Sequence, residues 1–420
     1  METKSERLKK LFVSSNRVLA TVQAVTGLVP LRQFRLLFPL WCISIQGRQY
    51  EKRPYELLER FLERAIGEAE LQTAGELARF FGLPQPAVTK TLDFLRTVGH
   101  VSGDDEHLRL TDLGQASLQS GLFLRPLESQ RLLYFEAFDS QPLPRSYYEY
   151  ESLILSEAEA ALLSDRTITR LYSGQLESYF DPLRLRQLAE RPDREQYNLP
   201  SELELGPDAI RKVTRAYFPL TVIEAHAYDN GDRQGSRPHY LALSPIAGHR
   251  DLFFERLIQN KPAIAYSFPT LDEREIPAAI ERHASRLGVQ LPGEGRIARS
   301  PSGLWQLVLS PRLFQKAEAG PGLALRLSDL GNVRQEDGYF FQLWCEDKML
   351  RCRSVLEQTL LFMEREQRKK QPLFRASILQ VMEHVSRRLA LAPPSWQELI
   401  AFAREQRRED LFEELGADAP

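Results

Sequence analysis

Apolar residues after Pro54 return at helical spacing, with Leu57, Leu58, Phe61, Leu62 and Ile66 falling on neighbouring turns, and this predicts a helix. A second helix is predicted from Thr73, which has Glu76 three residues later in the positions of a capping box and Leu77 and Phe81 as its apolar side. Gly82 permits a tight turn. In a third helix Val88, Leu92 and Leu95 share one face, which leaves Gln85, Thr89, Lys90 and Asp93 on the other. Gly99 ends that helix. Residues 100–102 and 108–110 then predict two short antiparallel strands joined across 103–107.

The run TAGELARFFGLPQPAVTKTLDFLRTVGHV at 73–101 and the closing phrase RLTDLG at 109–114 resemble the winged helix-turn-helix of bacterial regulators, the MarR-like group in particular. The resemblance spans 54–121 and implies a third helix that reads DNA, followed by a wing. On that footing Gln85 can pair with adenine, Thr89 can meet a base edge or phosphate, and Lys90 can reach guanine or the backbone. Asp93 and the wing residue Arg109 complete the set. The wing tip carries Asp104, Asp105 and Glu106, where a phosphate-facing wing offers Arg or Lys. Winged helices also serve as protein-protein adaptors, and that is the alternative use of the same fold.

Elsewhere the pattern predicts a helix over 6–25, a turn at 27–30 and a buried strand over the apolar run 36–45. The segment DSQPLPRSYYEY at 139–150 predicts a connector, and 151–206 reads as helices broken by Pro182, Pro192 and Pro200. From Val213 strands are expected in YFPLTVIEAHAY, HYLALSPIAG, AIAYSF, LWQLVLS and YFFQLWC, with helices intervening at 252–259 and 276–287. An amphipathic helix over 349–370 carries Cys352, Leu356, Leu360 and Met363 on one stripe, and two more begin near Phe374 and Trp396. The expected class is α+β. Its layout is a basic helix and strand segment (1–53), a winged helix (54–121), a helical connector region (122–206), a mixed α/β domain (207–348) and C-terminal helices (349–420).

A chain of 420 residues exceeds the roughly 250–300 that one core usually serves, so more than one domain is required. Three cysteines, Cys42, Cys345 and Cys352, form no CxxC pair, which argues against a disulfide framework and for the cytoplasm. No apolar segment with a cleavage site follows Lys4, Arg7, Lys9 and Lys10, and the run 36–45 is far short of the roughly twenty residues that span a bilayer. Neither export nor a membrane partner is expected. Charge is divided unevenly: 1–53 holds ten Lys or Arg against three acids, and 54–121 holds six against eleven. Phosphate contacts are therefore expected from Lys9, Lys10, Arg17, Arg32 and Arg35.

Neither GxxxxGK[ST] nor a strand-borne GxGxxG, HExxH or GxSxG occurs, so no cofactor or metal is expected. The enzymatic alternative is a Mg²⁺-dependent nuclease of the PD-(D/E)xK kind. Asp337 precedes the strand YFFQLWC and Glu346-Asp347-Lys348 follows it, with Glu346 and Lys348 on one face of an extended strand to hold the ion and activate water. A second cluster is Glu224, His226, Asp229 and Asp232, with Arg237 and His239 nearby. The leading expectation is a non-catalytic DNA-binding protein. It would be a regulator, or a subunit of a prokaryotic DNA-handling complex such as a phage-defence assembly, with duplex DNA and a protein partner or second copy as its partners.

Overall fold

The apolar run at 36–45 is the middle of a much longer strand, Leu28–Arg53, which continues through Arg48 and Lys52 because Leu40–Arg53 is paired residue by residue with a neighbouring strand. The structure is a computed structural model that describes residues 8, 10–25, 27–165, 167–171, 179–227, 238–246, 250–314, 325–408 and 410–412. In chain order its elements begin with α1 (Ser15–Ala24), β1 (Leu28–Arg53), α2 (Leu57–Gly67), α3 (Ala74–Phe81), α4 (Gln85–Val98), β2 (Val101–Ser102), β3 (Arg109–Leu110), α5 (Asp112–Ser120) and β4 (Phe123–Glu136). Next come β5 (Leu155–Ser156), α6 (Glu157–Leu163), β6 (Ile168–Arg170), α7 (Pro182–Glu190), β7 (Glu204–Ala227), β8 (His239–Leu243), α8 (Leu252–Asn260), α9 (Pro262–Ala265) and α10 (Glu275–Arg286). The last are β9 (Gly295–Arg299), β10 (Trp305–Leu309), β11 (Val333–Glu336), β12 (Tyr339–Trp344), α11 (Lys348–Arg368), α12 (Arg375–Arg388) and α13 (Trp396–Glu405). Helices and a mixed sheet make the protein α+β.

Two compact units result. The first comprises Met1–Phe38, Leu153–Tyr172 and Tyr217–Pro420, and the second comprises Pro39–Ser152 and Ser173–Ala216. Both β1 and β7 therefore contribute one part of their length to each unit.

In the first unit β12 lies antiparallel to β1 and β11 and parallel to β10, while β6 runs parallel to β1 over Arg35–Leu37. Tyr339, Phe341 and Leu343 enter one core with residues of α10 to α13, and Phe340 enters another with Val18 and Val22 of α1. Burial on both faces explains why this strand is apolar at every position but one. Its one polar interior residue, Gln342, is satisfied by Gln306 at 2.8 Å and by the carbonyl of Gly331 at 3.0 Å. Two expectations are corrected in this unit. AIAYSF holds the short helix α9 rather than a strand, because Pro262 occupies a first-turn position where its missing N–H is harmless. The helix expected over 6–25 is interrupted before α1, since the consecutive residues Leu11, Phe12 and Val13 are all buried, which one helix face cannot achieve.

In the second unit Leu40–Arg53 of β1 pairs residue for residue with Glu136–Phe123 of β4, a ribbon about 45 Å long at the usual strand rise. Trp41, Ile43 and Ile45, with Leu133 and Phe135, turn one face of it toward Leu185 and Leu188 of α7. The segment 122–206 is thus not a purely helical connector. At the far end of the ribbon, α2 to α5 with β2 and β3 form a helical module inserted between β1 and β4, with Leu62, Leu77, Val88, Leu92 and Leu95 fully buried in its core. Helical spacing identified α2 but did not separate its inner from its outer apolar residues. Leu57 and Phe61 are exposed, and Glu59, Leu62, Glu63 and Ile66 point inward instead.

Candidate nucleic-acid interface

The module presents α4 as its sequence demands. Thr73 accepts the N–H of Glu76 at 3.1 Å, the Glu76 carboxylate answers the N–H of Thr73, and Gly82 and Gly99 close α3 and α4 in the left-handed region. With Val88, Leu92 and Leu95 anchored inside, Gln85 and Lys90 are exposed and Thr89 is half-buried on the outer side. Arg109 projects from β3 and is likewise exposed. Among the described residues none of these four side chains has a hydrogen-bond or ion-pair partner within the protein. They are open to a ligand.

Asp93 is different. Arg96, which sequence reasoning passed over, takes Asp93 at 2.9 Å and Asp105 of the hairpin at 2.7 Å, and its Nε donates to the carbonyl of Gly103 at 2.9 Å. The hairpin is also pinned to α3, because the carbonyls of Asp105 and Gln72 accept the N–H groups of Ala74 and Leu108. Gly103 is required at the turn, since a Cβ there would lie 1.8 Å from the carbonyl oxygen of His107. Asp104 accepts from the N–H of Glu106 and lies 3.2 Å from His107, and these contacts, the backbone one first, hold its carboxyl below the usual value. The acidic tip is therefore partly neutralised by its own module. Its charge repels a polyanion less than the bare count implies.

Two polar clusters fasten the module to the ribbon. Arg53, the last residue of β1, grips Glu59 with two hydrogen bonds of 3.0 and 2.7 Å while its guanidinium lies 3.9 Å from the ring centre of Phe123. Deeper in, His100 and Glu63 are both fully buried, with Nδ1 2.6 Å from the Glu63 carboxylate and Nε2 2.7 Å from the carbonyl of Leu124. Tyr55 donates to the other Glu63 oxygen at 2.7 Å. Burial depresses the His100 pKa, but the bonds to Glu63 and Leu124 outweigh it and leave the group above its ordinary value. A carboxylate at an inward helical position of α2 was the signal for this pair.

The remaining predicted residues lie elsewhere. Lys10 and Arg17 belong to the first unit, outside this module, and Lys9 lies outside the described residues. Arg32 is not on a solvated face: it is buried and paired with Glu224 at 2.7 Å. Asp337 and Glu346 flank β12, whose six residues hold them roughly 20 Å apart, too far to share one ion. Asp337 with Gly338 makes the two-residue turn between β11 and β12, both at positive φ, a signal written in the sequence as Asp-Gly directly before an apolar run. Glu346 pairs with Arg296, Asp347 caps α11 through the N–H of Met349 at 2.8 Å, and Lys348 is already the first helical residue. The three therefore do not assemble the expected strand-borne site. Among the described residues no group of three His, Cys, Asp or Glu could hold a metal, and no helix is long and apolar enough to cross a membrane. Asp229, Asp232 and Arg237 lie outside the described residues.

Compared with protein families, curated proteins and solved structures, the chain finds no match. The functional reading rests on its own residues.

Proposed function

We propose that residues 54–121 are a winged helix that contacts duplex DNA through the outer face of α4 and strand β3, within a non-catalytic regulator or complex subunit. The observation that carries this reading is a division of labour among polar side chains. Among the described residues Gln85, Thr89, Lys90 and Arg109 stand without an internal partner, while Arg96 takes up Asp93 and Asp105. Gln85 and Thr89 supply hydrogen bonds suited to base edges, and Lys90 and Arg109 supply phosphate contacts. Two phosphate contacts give a salt slope of only about −2, so affinity from one module is modest and falls readily with salt. Fluorescence anisotropy of a labelled duplex across a salt series tests this. Lys90→Ala and Arg109→Ala should each flatten the slope by about one unit. A wild-type protein that ignores duplexes at low salt, or variants that bind as it does, would reject the assignment.

One observation supports the adaptor reading as a second use of the module. Leu57 is 75% exposed, Phe61 43% and Phe80 64%, and both phenylalanine rings contact Phe81, at 6.1 and 5.0 Å. Contiguous exposed apolar surface of this kind marks protein contacts. If a second copy covers it, sedimentation velocity will show concentration-dependent association that Phe80→Asp abolishes. A wild-type monomer at every concentration would remove self-association from consideration.

A further inference from the structure

Strand β9 ends the sheet of the first unit, and among the described residues it is hydrogen-bonded only to β10. Its register fixes which backbone groups are left over. The Ser310 N–H donates to the carbonyl of Glu294 and the Ser300 N–H to that of Leu304, each at 2.8 Å, so on this strand the hydrogen-bonded pairs fall at 294, 296, 298 and 300. The N–H and C=O groups of Gly295, Ile297 and Arg299 therefore point away from β10. None of them has a partner among the described residues.

A groove of about 950 Å³ runs beside this edge, between β9 and α10, and Glu281, Ser285, Val289, Leu291, Gly295 and Ile297 are among the residues that line it. Its side chains come from one face of the sheet. Gly295 lies opposite Leu309 and Ile297 opposite Leu307, and both leucines share a core with Ile276, Ala279, Ile280 and Ala284 of α10, so the Ile297 side chain stands on the helix side. Glu281 and Ser285, one turn apart on α10, are exposed on the flank that borders the groove. Arg296 points to the other face, where Glu346 takes it, and Arg299 is held by Glu273.

Unpaired backbone donors and acceptors along an edge are matched by another extended backbone. A strand added there would place the side chain opposite Ile297 on the helix side, against Ile297, Val289 and Leu291, so an apolar residue fits that position. Glu281 has no ion-pair partner among the described residues and is matched by a cation. A second copy of the chain fits less well. Pairing β9 with β9 about a two-fold axis sets the two α10 flanks side by side and brings both Glu281 carboxylates into one seam, where they repel. We propose that the groove takes an extended peptide segment of a partner protein by strand addition, with an apolar residue facing Ile297 and a Lys or Arg facing Glu281. The inference is independent of the DNA reading and concerns the other unit.

Fluorescence anisotropy tests this with labelled nine-residue peptides in which valine, leucine or phenylalanine alternates with threonine and a lysine stands two places before or after the central apolar residue. Titration with the full chain to about 0.5 mM covers dissociation constants through the micromolar range. At least one lysine peptide should bind, and N-methylation of its ladder-forming amides should weaken it about tenfold or more. Ser285→Trp, which fills the groove from an exposed helix position, should weaken it comparably, and Glu281→Lys should shift the preference to peptides with glutamate in place of lysine. Silence of every lysine peptide with the wild type overturns the proposal, as does equal binding by the N-methylated forms or by Ser285→Trp. Self-association of the wild type that Ser285→Trp abolishes overturns it too, by giving the edge to a second copy.

Discussion

Replacing His100 with alanine is expected to destabilise the helical module by about 3–5 kcal/mol, the usual cost of removing one member of a buried ionic pair. The geometry explains the size. A carbonyl oxygen carries no proton, so Nε2 of His100 must be the donor toward Leu124, and Nδ1 faces Glu63 at 2.6 Å. A protonated imidazole satisfies both neighbours at once. Without it the fully buried Glu63 carboxylate keeps only the Tyr55 hydroxyl, and the Leu124 carbonyl loses its side-chain donor. Because whole domains are stable by only about 5–15 kcal/mol, the module should open locally while the first unit stays folded. Hydrogen exchange read on peptides from α2 and α4 should lose roughly two to four orders of magnitude of protection, the equivalent of that energy. Protection within about threefold of the wild type would show that the pair is dispensable.

The same pair gives a pH dependence with a definite sign. The folded pKa of His100 is raised above the unfolded value near 6.5, so the folded state holds its proton more tightly. The contribution is therefore complete below about pH 6.5 and is lost as pH rises through the raised folded value. Exchange protection of the module, corrected for intrinsic rates, should fall on the alkaline side, and His100→Gln should remove that slope.

Glu224→Ala is the second large effect, again about 3–5 kcal/mol, and it falls on the first unit. Arg32 and Glu224 are each only 8% exposed, and removing the carboxylate leaves a buried guanidinium with the Pro269 carbonyl as its remaining partner. Replacing both residues with leucine should be far milder, since burying a matched ion pair stabilises little more than apolar groups of similar size. Denaturant unfolding followed by exchange on peptides of β7 and β8 would read both variants. A single substitution costing less than about 1 kcal/mol, or a double variant as damaged as the single one, contradicts this account of the pair.

Local signals were faithful where the physics is local. Thr73 with Glu76, the turn at Gly82 and the stop at Gly99 depend on neighbours within one turn, and each feature forms where the sequence places it. Pattern failed where the answer depends on distant chain. Leu57 and Phe61 have the same spacing as Leu62 and Ile66, yet only the packing of α3 and α4 decides which pair is inside. The acidic hairpin looked like a uniform repellent because the reach of Arg96 to Asp105 is a tertiary fact. Asp337 was legible as a turn residue, and its Asp-Gly dipeptide outweighed the resemblance to a metal-binding carboxylate.

By itself the sequence determined that this protein is α+β, with a capped helical module near its start whose third helix buries Val88, Leu92 and Leu95 and exposes Gln85 and Lys90. Side-chain period and capping chemistry are properties of neighbouring residues, so they survive without a fold. Only the tertiary structure decided that β1 and β4 join into the long ribbon that carries the module, that His100 meets Glu63, and that Arg32 meets Glu224. Each of those juxtapositions joins residues far apart in the chain, and strand register and burial, which no local pattern encodes, bring them together.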